Sequence, residues 1–152
     1  MTLTDFILRA SIVLFFFLLM EAAAWATHKY VMHGFLWVLH KDHHMPDHNR
    51  LERNDLFALF FALPSVALIA VGAADGFSLL FFAGVGIALY GMAYFWFHDI
   101  VVHQRLNIFG GYRNKYLNSI IAAHLDHHRG RGNFGFLFLV PTRYFSGAPS
   151  AK

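Results

Sequence analysis

Cysteine is absent from the chain, and charged residues are scarce. With no Cys among 152 residues, the protein has no disulfide, no thiolate metal site and no iron–sulfur cluster held by its own side chains. Charged residues make up 14% of the sequence and hydrophobic residues 57%, a balance outside that of ordinary soluble domains. The net charge is only +3, and no dense basic run is present, which argues against nucleic acid as a partner.

Three apolar segments are long enough to cross a bilayer, which takes about 20 residues. They are predicted at residues 6–26, 56–73 and 77–97, and only a turn at residues 74–76 separates the last two. The first segment has a poor signal-peptide n-region and is interrupted by Glu21, so we expect it to be a retained span. The sequence therefore predicts an all-α integral membrane protein with three to four transmembrane helices, in a single domain over residues 1–152.

Basic residues lie on one side of these spans. Of the twelve Lys and Arg, four lie between the first and second spans, six follow the third, and none lies in the turn at residues 74–76. Because cytoplasmic loops are enriched in Lys and Arg, we expect both basic regions to face the cytoplasm and the turn to face the opposite side. The ten residues are Lys29, Lys41, Arg50, Arg53, Arg105, Arg113, Lys115, Arg129, Arg131 and Arg143.

Histidine is the most unusual feature of the composition. Ten of the eleven histidines fall into two H-x4-H pairs and two H-x2-H-H triplets, and each pair precedes a triplet. The eleventh, His48, lies outside the pattern and is predicted to be a surface residue. The pairs and triplets, in chain order, are His28 and His33, then His40, His43 and His44, then His98 and His103, and then His124, His127 and His128.

The spacing predicts metal binding. Positions i, i+3 and i+4 share one face of an α-helix, so each triplet is expected to present three imidazoles near a common point. Positions i and i+5 lie farther apart, so each pair either serves different metals or requires a local distortion of the helix. Imidazole is a ligand for iron, zinc and copper. One metal takes about four to six ligands, so ten histidines predict two metal ions.

Other kinds of active site lack their motifs. The sequence contains no H-E-x-x-H of zinc proteases and no E-x-x-H pair of carboxylate-rich di-iron bundles. Gly84 and Gly86 lie within an apolar span, which favours helix packing over nucleotide binding. No flavin, haem, nicotinamide or iron–sulfur site is visible, so any redox reaction would take its electrons from a separate protein.

Several carboxylates near the histidines are candidates to accept the second N–H of a ligand imidazole, as second-shell groups do. Glu21 lies within the first span, where a carboxylate is a functional hypothesis by default. Asp99 follows His98 directly and is the best candidate among the acids beside the histidine clusters. Asp42 and Asp126 lie inside the triplets and are equally well explained as surface acids.

The segments around the histidines have their own predicted structure. Residues 28–44 are expected to extend the first span as a helix, and residues 115–128 to form another. Residues 134–140 are apolar but too short to span, so we expect them to lie at the interface or pack on the domain. Asn54 and Asp55 precede the second span and are predicted to cap it.

Short motifs accompany the histidines over residues 20–140. They include HKYVMHG at residues 28–34, NDLFA at 54–58, VHQR at 102–105 and FGFL at 134–137. These residues resemble the bacterial non-haem β-carotene 3-hydroxylases, within the fatty acid hydroxylase and sterol desaturase superfamily.

This resemblance implies a di-iron centre, held by the ten clustered histidines, that activates dioxygen and hydroxylates C3 of a β-ionone ring. It implies two turnovers per β-carotene, through cryptoxanthin to zeaxanthin, with electrons from ferredoxin and its reductase. It also implies the bacterial inner membrane as the location. Zinc is expected to be able to replace iron in purified protein, since imidazole binds both.

Three alternatives stay open. Residues 106–123 depart from the family, which leaves the ring position, C3 or C2, and tolerance of ketocarotenoids undecided. A fatty-acyl or sterol hydroxylase or desaturase has the same histidine clusters. A histidine-rich membrane metal transporter or sensor belongs to a different class, but transport predicts ligands at the bilayer midplane on inverted repeats, whereas these clusters follow the span ends on one side.

Overall fold

The computed structural model describes residues 2–45, 51–106, 114–130, 132 and 134–146, and within these ranges the regular structure is entirely helical. The α-helices are α1 (Leu3–Ala26), α2 (Trp37–His44), α3 (Leu56–Ala74), α4 (Leu79–Tyr94) and α5 (Lys115–His128). Two π-helical segments, Thr27–Phe35 and Phe95–Val102, continue α1 and α4, and two short 3-10 turns are Arg53–Asp55 and Thr142–Tyr144.

Three helical stretches are long and apolar enough to cross a membrane: Leu3–Phe35, Arg53–Ala74 and Leu79–Val102. They correspond to the three predicted spans. The hairpin turn is longer than expected, because Phe77 lies in the turn with φ 59°, beside Gly76 with φ 63°. Both residues therefore have a left-handed backbone, which ends α3 and reverses the chain before α4.

Side-chain capping sets the starts of two helices. Thr2 and Asp5 form a reciprocal capping box at the start of α1, which satisfies amide groups that have no partner within the helix. Asn114 Oδ1 accepts a hydrogen bond of 2.8 Å from the Leu117 N–H and so begins α5. The bounds of α5 agree with the predicted helix at residues 115–128.

Small residues bring the three spans together. A Cβ at Gly84 would lie 2.8 Å from the Ser65 carbonyl of α3, and one at Gly86 would meet the Val13 carbonyl of α1. Helix α4 therefore packs closely on both neighbours, as predicted for these glycines. The Arg9 guanidinium lies over the Phe82 ring near one end of α1 and α4.

Helices α1 and α4 run parallel, and this brings the histidine pairs to one end of the bundle. Contacts at successive levels, Arg9 with Phe82 and Phe17 with Tyr90, keep the same chain direction. Their π-helical continuations therefore emerge side by side. The predicted packing of residues 134–140 on the domain is confirmed, because Phe136 and Leu137 are buried in a core cluster with Met20, Ala24 and Tyr90.

Candidate metal centre

The two H-x4-H pairs lie in the π-helical segments, with His103 directly after the second of them. On an α-helix, residues five apart are separated by about 140° around the axis, whereas a π-helix pairs residue i with i+5. The His103 N–H donates to the His98 carbonyl at 2.9 Å, which is such an i to i+5 hydrogen bond. The rings of His28 and His33 are 5.0 Å apart, and those of His98 and His103 are 4.6 Å apart. Local distortion thus brings each pair onto one face.

The predicted helical extension over residues 28–44 is interrupted between the pair and the triplet. Gly34 has φ −100° and ψ −125°, outside the helical region, and Trp37 then begins α2. This break turns α2 relative to the π-helical segment. As a result, His40 lies only 5.0 Å from His28 and 4.8 Å from His33, measured between ring centroids.

Nine of the ten clustered histidines form two groups in which the ligand nitrogens lie within 4.8 Å of one another. The first group, here called group 1, contains His28, His33, His40, His44 and His127. The second, group 2, contains His43, His98, His103 and His124. His128 adjoins group 2, since its Nε2 is 2.8 Å from His124 Nε2 and its ring is 5.0 Å from that of His103.

Each triplet is divided between the groups, so the expectation that its three imidazoles share one point is wrong. The outer histidines of α2 join group 1 while the middle one, His43, joins group 2; in α5 the middle one, His127, joins group 1. Helix geometry explains the division. Positions i and i+4 are about 40° apart around the axis, but i+3 and i+4 are about 100° apart. Each triplet therefore directs its middle histidine toward the outer histidines of the other triplet.

Three imidazoles donate their outer N–H to acceptors that lie outside the histidine clusters. His40 Nδ1 is 2.7 Å from Asn54 Oδ1, His43 Nδ1 is 2.9 Å from Glu52 Oε2, and His28 Nδ1 is 3.2 Å from the Phe134 carbonyl. With the proton fixed on Nδ1, the Nε2 lone pair is available to a metal.

Two of these acceptors were not predicted from the sequence. Asn54 was expected only to cap α3, but the capping box there is formed by Glu52 and Asp55, and Asn54 is buried against His40. Glu52 is a charged residue in a connecting segment, a position that by itself predicts no role at a metal site. The nearest sequence signal is the short NDLFA motif at residues 54–58, which begins two residues after Glu52.

Asp99 lies beside group 2 without a hydrogen bond to His98. Its Oδ1 is 3.6 Å from His98 Nδ1, which is too long for a hydrogen bond. The carboxylate instead accepts from Arg105 at 2.9 Å, and the same guanidinium also binds Asp55 at 2.7 Å. Arg105, predicted as one of the cytoplasmic basic residues, thus joins Asp55 to Asp99. Its hydrogen bonds to Asp55 and Asp99 raise the pKa of the guanidinium.

The other carboxylates have partners away from the imidazoles. The Asp42 side chain accepts from the Arg53 N–H at 2.7 Å, and Asp126 accepts from the Tyr144 hydroxyl at 3.1 Å. Glu21 accepts from the Tyr90 hydroxyl and from the backbone of residues 136–139. The prediction that Glu21 binds an imidazole directly is therefore wrong. His48 lies outside the described residues.

The donor set fits transition-metal ions. Neighbouring Nε2 atoms face one another at 3.0 Å for His33 and His127 and at 2.8 Å for His103 and His124, and the buried Nε2 of His43 has no hydrogen-bond partner among the described groups. Burial is the first cause that lowers the pKa of His43 to about 2 and that of His40 to about 3. These imidazoles are therefore neutral at physiological pH, the form that binds metal.

Burial likewise lowers the pKa of the other histidines outside the spans that the structure describes. The pKa falls to about 3 for His103 and His128 and to about 2 for His127, and it lies well below its ordinary value for His124. Repulsion between neighbouring imidazoles adds to the effect. A cluster that excludes protons in this way is chemically suited to iron, zinc or copper.

The chain is similar in sequence to several known β-carotene hydroxylases. The β-carotene hydroxylase of Pseudescherichia vulneris is 42% identical over 137 residues, 87% of this chain and 77% of that protein. The β-carotene hydroxylase of Pantoea ananas is 42% identical over 127 residues, 80% of this chain and 72% of that protein. A chloroplastic β-carotene 3-hydroxylase of an Oncidium hybrid is 44% identical over 114 residues, 73% of this chain and 37% of that protein.

No solved structure matches the chain. The model of the fatty acid hydroxylase family matches residues 13–146, a range that includes the three candidate spans in large part and all ten clustered histidines. The chain is thus a membrane protein with a histidine-rich centre, and it belongs to the fatty acid hydroxylase family.

Proposed function

We propose that the protein is a dioxygen-dependent hydroxylase of carotenoid β-ionone rings that converts β-carotene through cryptoxanthin to zeaxanthin. The observation that carries the proposal is the pair of adjacent imidazole groups in a chain 42% identical to two bacterial β-carotene hydroxylases. When bound there, two iron ions would supply the chemistry that activates dioxygen and oxidises an unactivated C–H bond.

The ten histidines would divide equally between the two ions. Group 1 supplies five imidazoles, and group 2 supplies four. His128 completes group 2, because in each group the first and last histidines of one triplet combine with the middle histidine of the other. Each ion would then have one H-x4-H pair and three triplet histidines, which is within the usual coordination number of about four to six.

Aromatic side chains would exclude water from the centre and orient the substrate ring. Tyr94 stacks on His98 with 4.6 Å between ring centroids, and Trp37 lies 5.2 Å from His33. Phe136 lies between the groups, 4.8 Å from His28 and 5.6 Å from His98. Replacing water by fixed apolar walls favours oxidation of the bound ring over side reactions.

The electron donor and the membrane orientation complete the proposal. Ferredoxin with its reductase would supply the electrons, because the imidazoles of the centre are not themselves a source of electrons. The protein would form one membrane-embedded domain over residues 1–152. The metal centre would lie on the cytoplasmic side of the inner membrane, since the basic residues cluster at the same end of the helix bundle as the histidines. The exposed ones among them include Lys41, Arg53, Lys115, Arg129 and Arg143.

The decisive experiment is expression in a β-carotene-producing bacterium followed by chromatography of the extracted pigments. Cryptoxanthin and zeaxanthin are expected, and a His124→Ala variant is expected to leave β-carotene unchanged. Unchanged β-carotene with the natural chain, together with newly hydroxylated fatty acids in the lipid extract, would instead assign the acyl-lipid activity that the family name describes.

A further inference from the structure

A carboxylate is buried within the first span, away from the histidines. Glu21 is 2% exposed and lies inside the candidate span Leu3–Phe35. A charge at this depth is costly unless its acceptor capacity is met. No Lys or Arg is among the partners that the structure gives this carboxylate; neutral donors surround it instead.

Four consecutive backbone amides point at this one side chain. Glu21 Oε1 accepts from the N–H groups of Phe136, Leu137, Phe138 and Leu139 at 3.0, 2.9, 3.0 and 3.0 Å. Its Oε2 accepts from the Tyr90 hydroxyl at 2.7 Å and again from Leu137 at 3.1 Å. Successive N–H groups converging in this way form an anion-binding nest.

The arrangement solves a problem for the backbone as well. Residues 136–139 are not helical, yet they pack against α1 and α4 within the spans, where irregular backbone is tolerated only if its polar groups are satisfied by protein. The turn is tight, because a Cβ at Gly135 would overlap the Leu139 carbonyl. Glu21 is the shared acceptor that satisfies the N–H groups of this non-helical segment within the span.

The anchored segment contacts both histidine groups. The Phe134 carbonyl is 3.2 Å from His28 Nδ1, and the Phe134 ring lies 5.2 Å from that of His127. The Phe136 ring stacks on His28 at an interplanar angle of 21° and lies edge-on to His98. A shift of the backbone at residues 134–136 would therefore move an acceptor of group 1 and the aromatic ring between the groups.

We propose that Glu21 is a positioning residue for the metal centre: it fixes the backbone of residues 136–139, and that segment in turn orients His28 and holds Phe136 between the groups. The proposal rests on metal binding by the histidines, as in the proposed function. It does not depend on which substrate is oxidised.

The test compares Glu21→Gln with Asp75→Asn, which removes a charge from the exposed hairpin turn at the other end of α3. Glutamine keeps the size of the side chain, but its NH2 group faces N–H donors. Amide hydrogen exchange at residues 136–139 is expected to accelerate by about tenfold to hundredfold, the effect of losing hydrogen bonds to a charged acceptor. The visible absorption of the Co²⁺-loaded protein is expected to change, because the orientation of His28 changes. Asp75→Asn should match the natural chain in both measurements.

Tyr90→Phe is the milder variant and decides the matter if Glu21→Gln does not accumulate. It removes one hydrogen bond and leaves the carboxyl group in place, so a smaller acceleration at the same amides and a shift of the Co²⁺ spectrum in the same direction are expected. Faster exchange with an unchanged Co²⁺ spectrum would overturn the proposal, since the segment would then be anchored without positioning a ligand. Both readouts are independent of carotenoid turnover, so the proposed function can fail while this inference stands.

Discussion

The hydrogen bond between His40 and Asn54 gives the sharpest test of the metal centre. Its atoms are 2.7 Å apart, and both residues are buried, His40 at 1% and Asn54 at 7% exposure. Asn54→Ala leaves the buried N–H of His40 without an acceptor, at a cost of about 1–3 kcal/mol. The loss of an outer acceptor typically lowers metal affinity by about tenfold to hundredfold, which agrees with that free energy at 1.4 kcal/mol per tenfold.

The assay is competition between the purified protein and a chelator of known affinity, with Zn²⁺ as the probe. We expect Asn54→Ala to bind Zn²⁺ about tenfold to hundredfold more weakly and Asn54→Asp, which keeps an acceptor oxygen, to bind it nearly as the natural chain does. Asn118→Ala on the exposed side of α5 is the matched control. If Asn54→Ala lowered thermal stability yet bound Zn²⁺ normally, Asn54 would be only a structural residue at the start of α3, and the assignment of its oxygen to a ligand imidazole would be wrong.

Four further predictions follow from the sequence and the packing. Elemental analysis of fully loaded, folded protein should give two metal ions per chain, and zinc-loaded protein should not hydroxylate because zinc has no redox chemistry; one ion or fewer would contradict the two groups. Alanine at any triplet histidine should abolish hydroxylation while His48→Ala retains it, and equal loss in all seven variants would refute the division into ligands and non-ligand. Gly86→Ala should destabilise the protein by about 1–3 kcal/mol through overpacking, measured by thermal unfolding in detergent, whereas Gly91→Ala, with no atom within 4 Å of the new Cβ, should not. An impermeant thiol reagent on intact spheroplasts should label a Cys placed at Asp75 and spare one at His48, and the reverse labelling would invert the proposed orientation. The triplet histidines are His40, His43, His44, His124, His127 and His128.

Local sequence features determined much of this protein. Apolar runs longer than a bilayer is thick predict the spans wherever they occur, and the three candidate spans follow them. Residues 115–128 form the predicted helix because Asn114 caps it and the segment then has an uninterrupted helical composition. The histidine spacing predicted two metal ions, and the structure gathers nine of the ten clustered residues into two groups.

The assignment of each histidine to a group depended on tertiary structure. The i+3 histidine of a triplet points about 100° away from its i+4 neighbour, but only the packing of α2 against α5 shows that this direction leads to the other group. The π-helical conformation that brings the two histidines of each H-x4-H pair together was likewise known only from the structure, since spacing alone allowed either distortion or separate metals.

The backbone groups that orient His28 and bind Glu21 were the hardest to predict, because they come from remote parts of the chain. Phe134 lies 106 residues from His28, and the amides bound by Glu21 lie 115 to 118 residues away. A backbone carbonyl or N–H has no residue-type signal, so no motif marks it in the sequence. The sequence by itself indicated which histidines are candidate metal ligands and which segments are long and apolar enough to cross the membrane. The fold decided which acceptor faces each ring, because that is set by the parallel packing of α1 on α4 and by the turn that Glu21 holds against them.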